Sequence, residues 1–213
     1  MGLKEELAGQ GPNTQRVIRY FYDDKGCFRP AVKDSEYDAI VNGIMKKTDW
    51  KKKALEKLGL DEDQLREIDP IHFEGYYFTE QRGGSAPSYY KCGLDGKWRS
   101  TAYQVSWLFF SSEQVYLYQY TQHFNKYVKD EHTEEFFYKD ITNFSTGSHN
   151  LEIEVPVASG CGNNVQMVKK TLPYTDFALV VPGEKLYCAM DKLEEYESSI
   201  QGMKAKFREK KNA

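Results

Sequence analysis

Residues 101–120, TAYQVSWLFFSSEQVYLYQY, constrain the fold more than any other stretch of the chain. Tyr103, Val105, Trp107 and Phe109 alternate with Ala102, Gln104, Ser106 and Leu108. That period of two marks a half-buried strand. Ser111-Ser112-Glu113-Gln114 breaks the run, and residues 115–120 turn β-branched and aromatic again. The second run reads as a return strand.

The rest of the chain carries the same signature. Sixteen tyrosines and twelve phenylalanines in 213 residues, spread over many short alternating segments, favour a β-rich body. Strands are expected at 71–79, at 89–94, from Lys97 to Phe110, at 115–124, 133–139, 151–155, 165–172, 177–181 and 186–190. Asp95-Gly96 is the strongest short hairpin signal and predicts a two-residue turn. Leu151, Ile153 and Val155 alternate with Glu152 and Glu154, so that strand has one wet face.

Helices flank this body. Tyr37, Ile40, Val41, Ile44 and Met45 form one apolar helical face. Thr48-Asp49 can cap a second helix carrying Trp50, Ala54, Leu55 and Leu58, with Gly59 as its stop. Asp61-x-x-Gln64 resembles a capping box and predicts a short third helix ending before Pro70. Ahead of them, residues 16–22 (RVIRYFY) read as a strand, with Cys27-Phe28 as its return across a turn. At the other end Leu193, Tyr196, Ile200, Met203 and Phe207 are spaced 3, 4, 3, 4. They predict an amphipathic helix that packs on the β body.

A β-rich run followed by one amphipathic helix is the element order of a pleckstrin-homology-like (PH-like) barrel. The phrase WLFFSSEQVYLYQY resembles the second-to-third strand passage of bacterial PH-like domains, and EEFFYKDITNFST is similar to their Y-x-D-I strand. The resemblance spans about 88–209. It implies an α+β fold: a PH-like antiparallel β-barrel closed by the C-terminal helix (71–213), preceded by an N-terminal hairpin and helical subdomain (1–70). In phosphoinositide-binding relatives a Lys and a basic-x-Arg triplet cluster at the first hairpin. Lys91 and Lys97-Trp98-Arg99 match that pattern. Three converging cations would hold a phosphate by charge-assisted bonds, whereas an exposed charged strand face needs no ligand.

Tyr116, Tyr118 and Tyr120 share the face opposite Val115 and Leu117. An exposed row of this kind marks a partner surface; a row covered by the helical section is a second core. The apolar helix surface that residues 37–68 must bury favours the second.

Other chemistries find little purchase. A charge of −3 argues against nucleic-acid binding, which needs a basic surface to displace counterions. The acidic start of the third helix, DEDQLREI, repels phosphates where a helix-turn-helix would meet DNA. Cys161, between two glycines, has no recognisable base beside it for nucleophilic catalysis. Cys27, Cys92, Cys161 and Cys188 are scattered without C-x-x-C, and His72, His123, His132 and His149 lack metal-ligand spacing. No cofactor, metal or catalytic residue is expected. The start MGLKEELAGQGP lacks an apolar stretch, so no secretory signal is expected, and scattered thiols suit the cytoplasm. The expectation is a non-enzymatic bacterial binding or scaffold module contacting another protein. The alternative is an anionic membrane surface bound through the basic hairpin.

Overall fold

The computed structural model describes residues 7–22, 30–61, 63, 65, 68–78, 88–158, 165–191 and 193–212, with the backbone alone for 156–158, 165, 193 and 212. Cys27-Phe28 and Cys161 lie outside the described residues, as do 62, 64, 66 and 67 of the helix expected at 61–69, whose Ile68-Asp69 are strand instead. Helix α1 (Pro12–Tyr22) is followed by α2 (Asp34–Met45) and α3 (Trp50–Leu58). Nine strands come next: β1 (Ile68–Tyr76), β2 (Tyr90–Cys92), β3 (Trp98–Ser100), β4 (Ala102–Phe110), β5 (Gln114–His123), β6 (Val128–Phe137), β7 (Asn143–Ala158), β8 (Val165–Val181) and β9 (Glu184–Met190). Helix α4 (Leu193–Asn212) ends the chain.

The strands form three antiparallel sheets, β1–β4–β5–β6, β2–β3 and β7–β8–β9, and none closes into a barrel. The expected PH-like barrel is therefore corrected to an open, layered α+β arrangement. No strand of the third sheet pairs with the first; the two meet through side chains and through one backbone bond just past β9, from the Asp191 N–H to the Glu74 carbonyl at 3.2 Å. Gln119 Nε2 donates to the Tyr187 carbonyl (2.8 Å), and the Ala189 N–H donates to Gln104 Oε1 (2.9 Å). Two buried glutamines thus satisfy backbone groups of β9, which a closed barrel would satisfy with a further strand.

The central pair of strands forms where the alternation predicts, but β4 is buried on both faces instead of one. Strand β4 pairs with β5 in a register that sets Leu108 opposite Leu117 and Phe109 opposite Tyr116. Ser111 Oγ closes the turn by accepting the Gln114 N–H at 3.0 Å. One face of the sheet sends Ile71, Phe73, Leu108, Phe110, Val115 and Leu117 into a core with Phe144, Phe177 and Leu179 of the third sheet and Ile200, Met203 and Phe207 of α4. The other face sends Tyr103, Val105, Phe109, Tyr118 and Tyr120 into a second core against α1–α3.

Helices α2 and α3 form where the apolar spacing and caps place them. Asp49 accepts the Lys52 N–H at 3.1 Å, and Gly59 ends α3 with φ +65°. The segment expected as a strand at 16–22 is instead α1. Thr14, Val17, Ile18 and Phe21 are all buried, at i, i+3, i+4 and i+7 of one helical face. The strand expected from Lys97 to Phe110 is divided at Thr101. There the N–H goes back to Tyr89 and the carbonyl accepts from Phe124, so β3 and β4 belong to different sheets.

The segments expected at 165–172 and 177–181 are one strand, β8, and Pro173 sits inside it opposite Asn150. Pairing with β9 begins only at Thr175, so at Pro173 the strand has a neighbour on one side and tolerates a missing N–H. The distal half of the β7–β8 hairpin forms an arm. Leu151, Ile153, Val155 and Leu172 pack there with Tyr90 in a small third core, with Trp98 against it.

Candidate functional site

Arg99 on β3 is the most deeply placed charge among the described residues, with 1% of its surface exposed. Its Nε and Nη2 bond the two oxygens of Asp38 on α2 at 2.8 and 2.7 Å. Its Nη1 and Nη2 bond the two oxygens of Asp95 at 2.9 and 2.8 Å, and Nη1 also reaches the Lys97 carbonyl at 3.2 Å. All five guanidinium N–H groups are thereby used. Tyr76 donates its hydroxyl to Asp38 at 2.8 Å, and Tyr20 donates to Asp34 at 2.8 Å. Asp34 also accepts the Leu94 N–H at 2.7 Å. The β2–β3 hairpin is thus tied to α1, α2 and β1 by charge-assisted bonds.

The protonation states follow from these contacts. Hydrogen bonds from Arg99 hold Asp95 well below the usual carboxylate range. Burial alone would raise Asp38, but the bonds from Arg99 and Tyr76 outweigh it and leave it lowered.

Three glycines make the site possible. At Gly93 a Cβ would run into Arg99 Nη1 and would lie 2.7 Å from Asp95 Oδ1 and 2.8 Å from Asp34 Oδ2. At Gly75 it would meet Asp191 Oδ1 at 2.8 Å, and at Gly147 it would run into His149 Nε2. Gly147 pairs with Asp176 and His149 pairs with Tyr174. The imidazole lies across the space that Gly147 leaves, with Nε2 3.3 Å from Asp176 Oδ2 and the ring stacked on Tyr174 at 5.0 Å. Asp176 is buried and His149 is exposed.

Arg99, Asp38, Tyr76, His149, Tyr174 and Asp191 line a cleft of about 590 Å³. One wall is α2 with Asp38 and Asn42; another is the hairpin with Lys97 and Trp98. The arm contributes Ser148, His149, Asn150, Tyr174 and Thr175. The end of β1 supplies Tyr76, Phe78 follows it, and Asp191 lies at the start of the segment leading to α4. Tyr76 meets Tyr103 edge-on at 5.4 Å, and Phe78 lies 5.7 Å from Tyr174. Burial raises the Asp191 carboxyl, and Glu74 and Glu195 add repulsion against the pull of the Tyr76 N–H and Lys97. One cleft therefore holds a lowered carboxylate, Asp38, and a raised one, Asp191.

The residues singled out from sequence fall differently. The hairpin closes with the Gly93 N–H on the Lys97 carbonyl at 2.8 Å and Gly96 at φ +77°. Its loop is thus Leu94-Asp95-Gly96, one residue longer than expected, a turn followed by a left-handed glycine. Lys91 lies opposite Arg99, not opposite Lys97. Its Nζ donates to the Tyr20 carbonyl at 2.9 Å and sits 4.4 Å over the Tyr20 ring. Lys97 acts on Asp191. Arg99 is thus bonded to Asp38 and Asp95 and Lys91 to the Tyr20 carbonyl, while Lys97 is exposed and lines the cleft.

Tyr116, Tyr118 and Tyr120 do share a face, and α3 covers it: all three belong to the second core. Tyr118 is fully buried, and Trp50 packs on Tyr120 at 4.5 Å. The partner-surface expectation for this row is replaced by the second-core one.

Asp38 and Asp176 were not singled out by the sequence pattern, His149 was weighed only as a metal ligand, and Asp191 reads in sequence as the capping-box start of the last helix. A lone Gly within a strand pattern, as at Gly75 and Gly147, is the signal that would have pointed there, because it marks a close approach.

Comparison with known proteins returns no relative: no family model, no curated protein and no solved structure matches this chain. Among the described residues no helix is long and apolar enough to cross a membrane, and no group of three or more His, Cys, Asp or Glu side chains is placed to hold a metal ion.

Proposed function

We propose that the chain is a non-catalytic binding module that engages another protein through the cleft between α2, the β2–β3 hairpin and the β7–β8 arm. The observation that carries this reading is the glycine triad. Gly75, Gly93 and Gly147 each leave out a Cβ where a charged or polar side chain of the cleft must pass. The cleft is thus built and held open without a ligand, which lowers the entropic cost of binding. Its walls mix aromatic rings with fixed polar groups, the composition of recognition surfaces. The anionic-membrane alternative draws less support, because Arg99 is saturated by Asp38 and Asp95. A cytoplasmic setting suits Cys92 and Cys188, which are not in disulfides.

The test uses the tagged chain as bait in cell extract, beside Trp98→Ala and Asn150→Arg. Trp98 is half-buried and Asn150 exposed, so both variants alter the cleft while the two large cores stay intact. A partner held by the native chain and lost by both variants is the expected result. Equal capture by all three would place the working surface elsewhere.

A further inference from the structure

We infer that the cleft receives a cationic side chain, arginine or lysine, from the partner polypeptide. The inference rests on the binding reading above and names the chemistry of that same site. Charge balance comes first. Asp38 and Asp191 line the cleft beside Arg99 and Lys97, and Arg99 is already bonded to Asp95 as well as to Asp38. Arg99 is shared by two carboxylates, so that tie alone keeps a net negative charge.

Asp191 is the lining carboxylate that Arg99 does not bond. Its Oδ1 has a long contact, 3.4 Å, from the Tyr76 N–H, while Glu74 and Glu195 repel it. Its backbone N–H is anchored on the Glu74 carbonyl at 3.2 Å, and Gly75 gives the side chain its place. The carboxylate is therefore fixed at the wall of the cleft. A cation there would be stabilised twice, by the carboxylate and by the faces of Tyr76, Trp98 and Tyr174, because aromatic faces attract cations. A guanidinium would stack on the rings and pair with Asp191 at once. An acidic or phosphorylated ligand would instead meet the excess carboxylates.

The experiment is an amide and indole NMR titration of the full chain with four capped Gly-Ser peptides. They carry a single arginine, lysine, citrulline or glutamate and are otherwise identical. The arginine and lysine peptides are expected to shift the Trp98 indole and the amides of Tyr76, Asp191 and His149, and the other two are not. Asp191→Asn keeps the side-chain shape and is expected to weaken arginine binding about tenfold or more, as loss of one close charge pair does. Asn42→Lys, on the exposed side of α2, places a cation in the cleft from within and is expected to weaken binding as well, which covers the case of a poorly folded Asp191 variant.

Citrulline binding equal to arginine, or arginine binding unchanged in both variants, would overturn the inference and leave the cleft reading standing. The inference falls in the same way if no peptide shifts these signals while a protein is still captured in a Trp98-dependent way. With neither peptide shifts nor Trp98-dependent capture, both readings fail.

Discussion

Arg99→Met is expected to lower the unfolding free energy by about 2–4 kcal/mol and the melting temperature by about 5–15 °C. The substitution keeps most of the side-chain volume and removes the charge that joins Asp38 of α2 to Asp95 of the hairpin. Fully buried ion pairs broken on one side cost about 3–5 kcal/mol. The figure here is set lower because Asp38 and Asp95 keep 35% and 45% of their side-chain surface in water. Arg99→Lys should recover little, since an ammonium cannot make two bidentate pairs.

The loss has a definite pH dependence. Arg99 lowers both carboxylates in the folded state, so the stability they contribute is complete above their unfolded pKa of about 3.9. It declines as the pH falls from there through the lowered folded values. The gap between native and Arg99→Met proteins should narrow as the pH falls into the carboxylate range, because the native pair loses its stabilisation there while burial and Asp95 favour a protonated Asp38 once Arg99 is gone. Denaturant unfolding across that range checks both size and sign. A gap that widens in acid would exclude this role for Arg99.

Tyr118→Ala is the second large effect, with an expected cost of about 3–5 kcal/mol, as for other large aromatic truncations. The ring is fully buried between the first sheet and α3. Its hydroxyl donates to Glu131 Oε1 at 2.8 Å, and that carboxylate also holds Lys53 at 3.0 Å and Lys57 at 3.7 Å. Tyr118→Phe separates the contributions: it keeps the packing and loses one hydrogen bond to a charged group, about 1.5–3 kcal/mol. Thermal unfolding of the two variants should rank Ala well below Phe, and Phe below the native chain. Had the row been an exposed partner surface, both changes would fall within about 0.5 kcal/mol of native.

The contrast between Tyr118 and Arg99 shows where the chain's own pattern was sufficient. Alternation over 102–110 and 115–120 specified two strands and which residues share a face, because side chains repeat every two residues, but not that both faces of β4 would be buried. Asp49 and Gly59 framed α3 for the same local reason: caps act within one turn. Residues 16–22 misled because their β-branched and aromatic composition favours strand, while the helical face begins two residues earlier at polar Thr14. Thr101 carries no Gly or Pro to announce the change of sheet.

Barrel closure was not legible because it depends on which edges meet. Here Gln104 and Gln119, residues that read as mere alternation partners, serve the edge of β9. The site was least legible of all. Arg99 and Asp38 are 61 residues apart, and a lysine-and-arginine hairpin looks the same in sequence whether its arginine faces solvent or two aspartates. Only the glycines carried a local trace, at Gly75, Gly93 and Gly147.

Hydrogen–deuterium exchange of the chain, free and in complex with the captured partner, is the measurement to make. Slowed exchange at 76–78, 97–99, 148–150 and 174–176 is predicted, because these segments line the cleft. Slowing confined to the outer edge of the first sheet at Val128–Phe137, with the cleft segments unchanged, would contradict the cleft as the working surface.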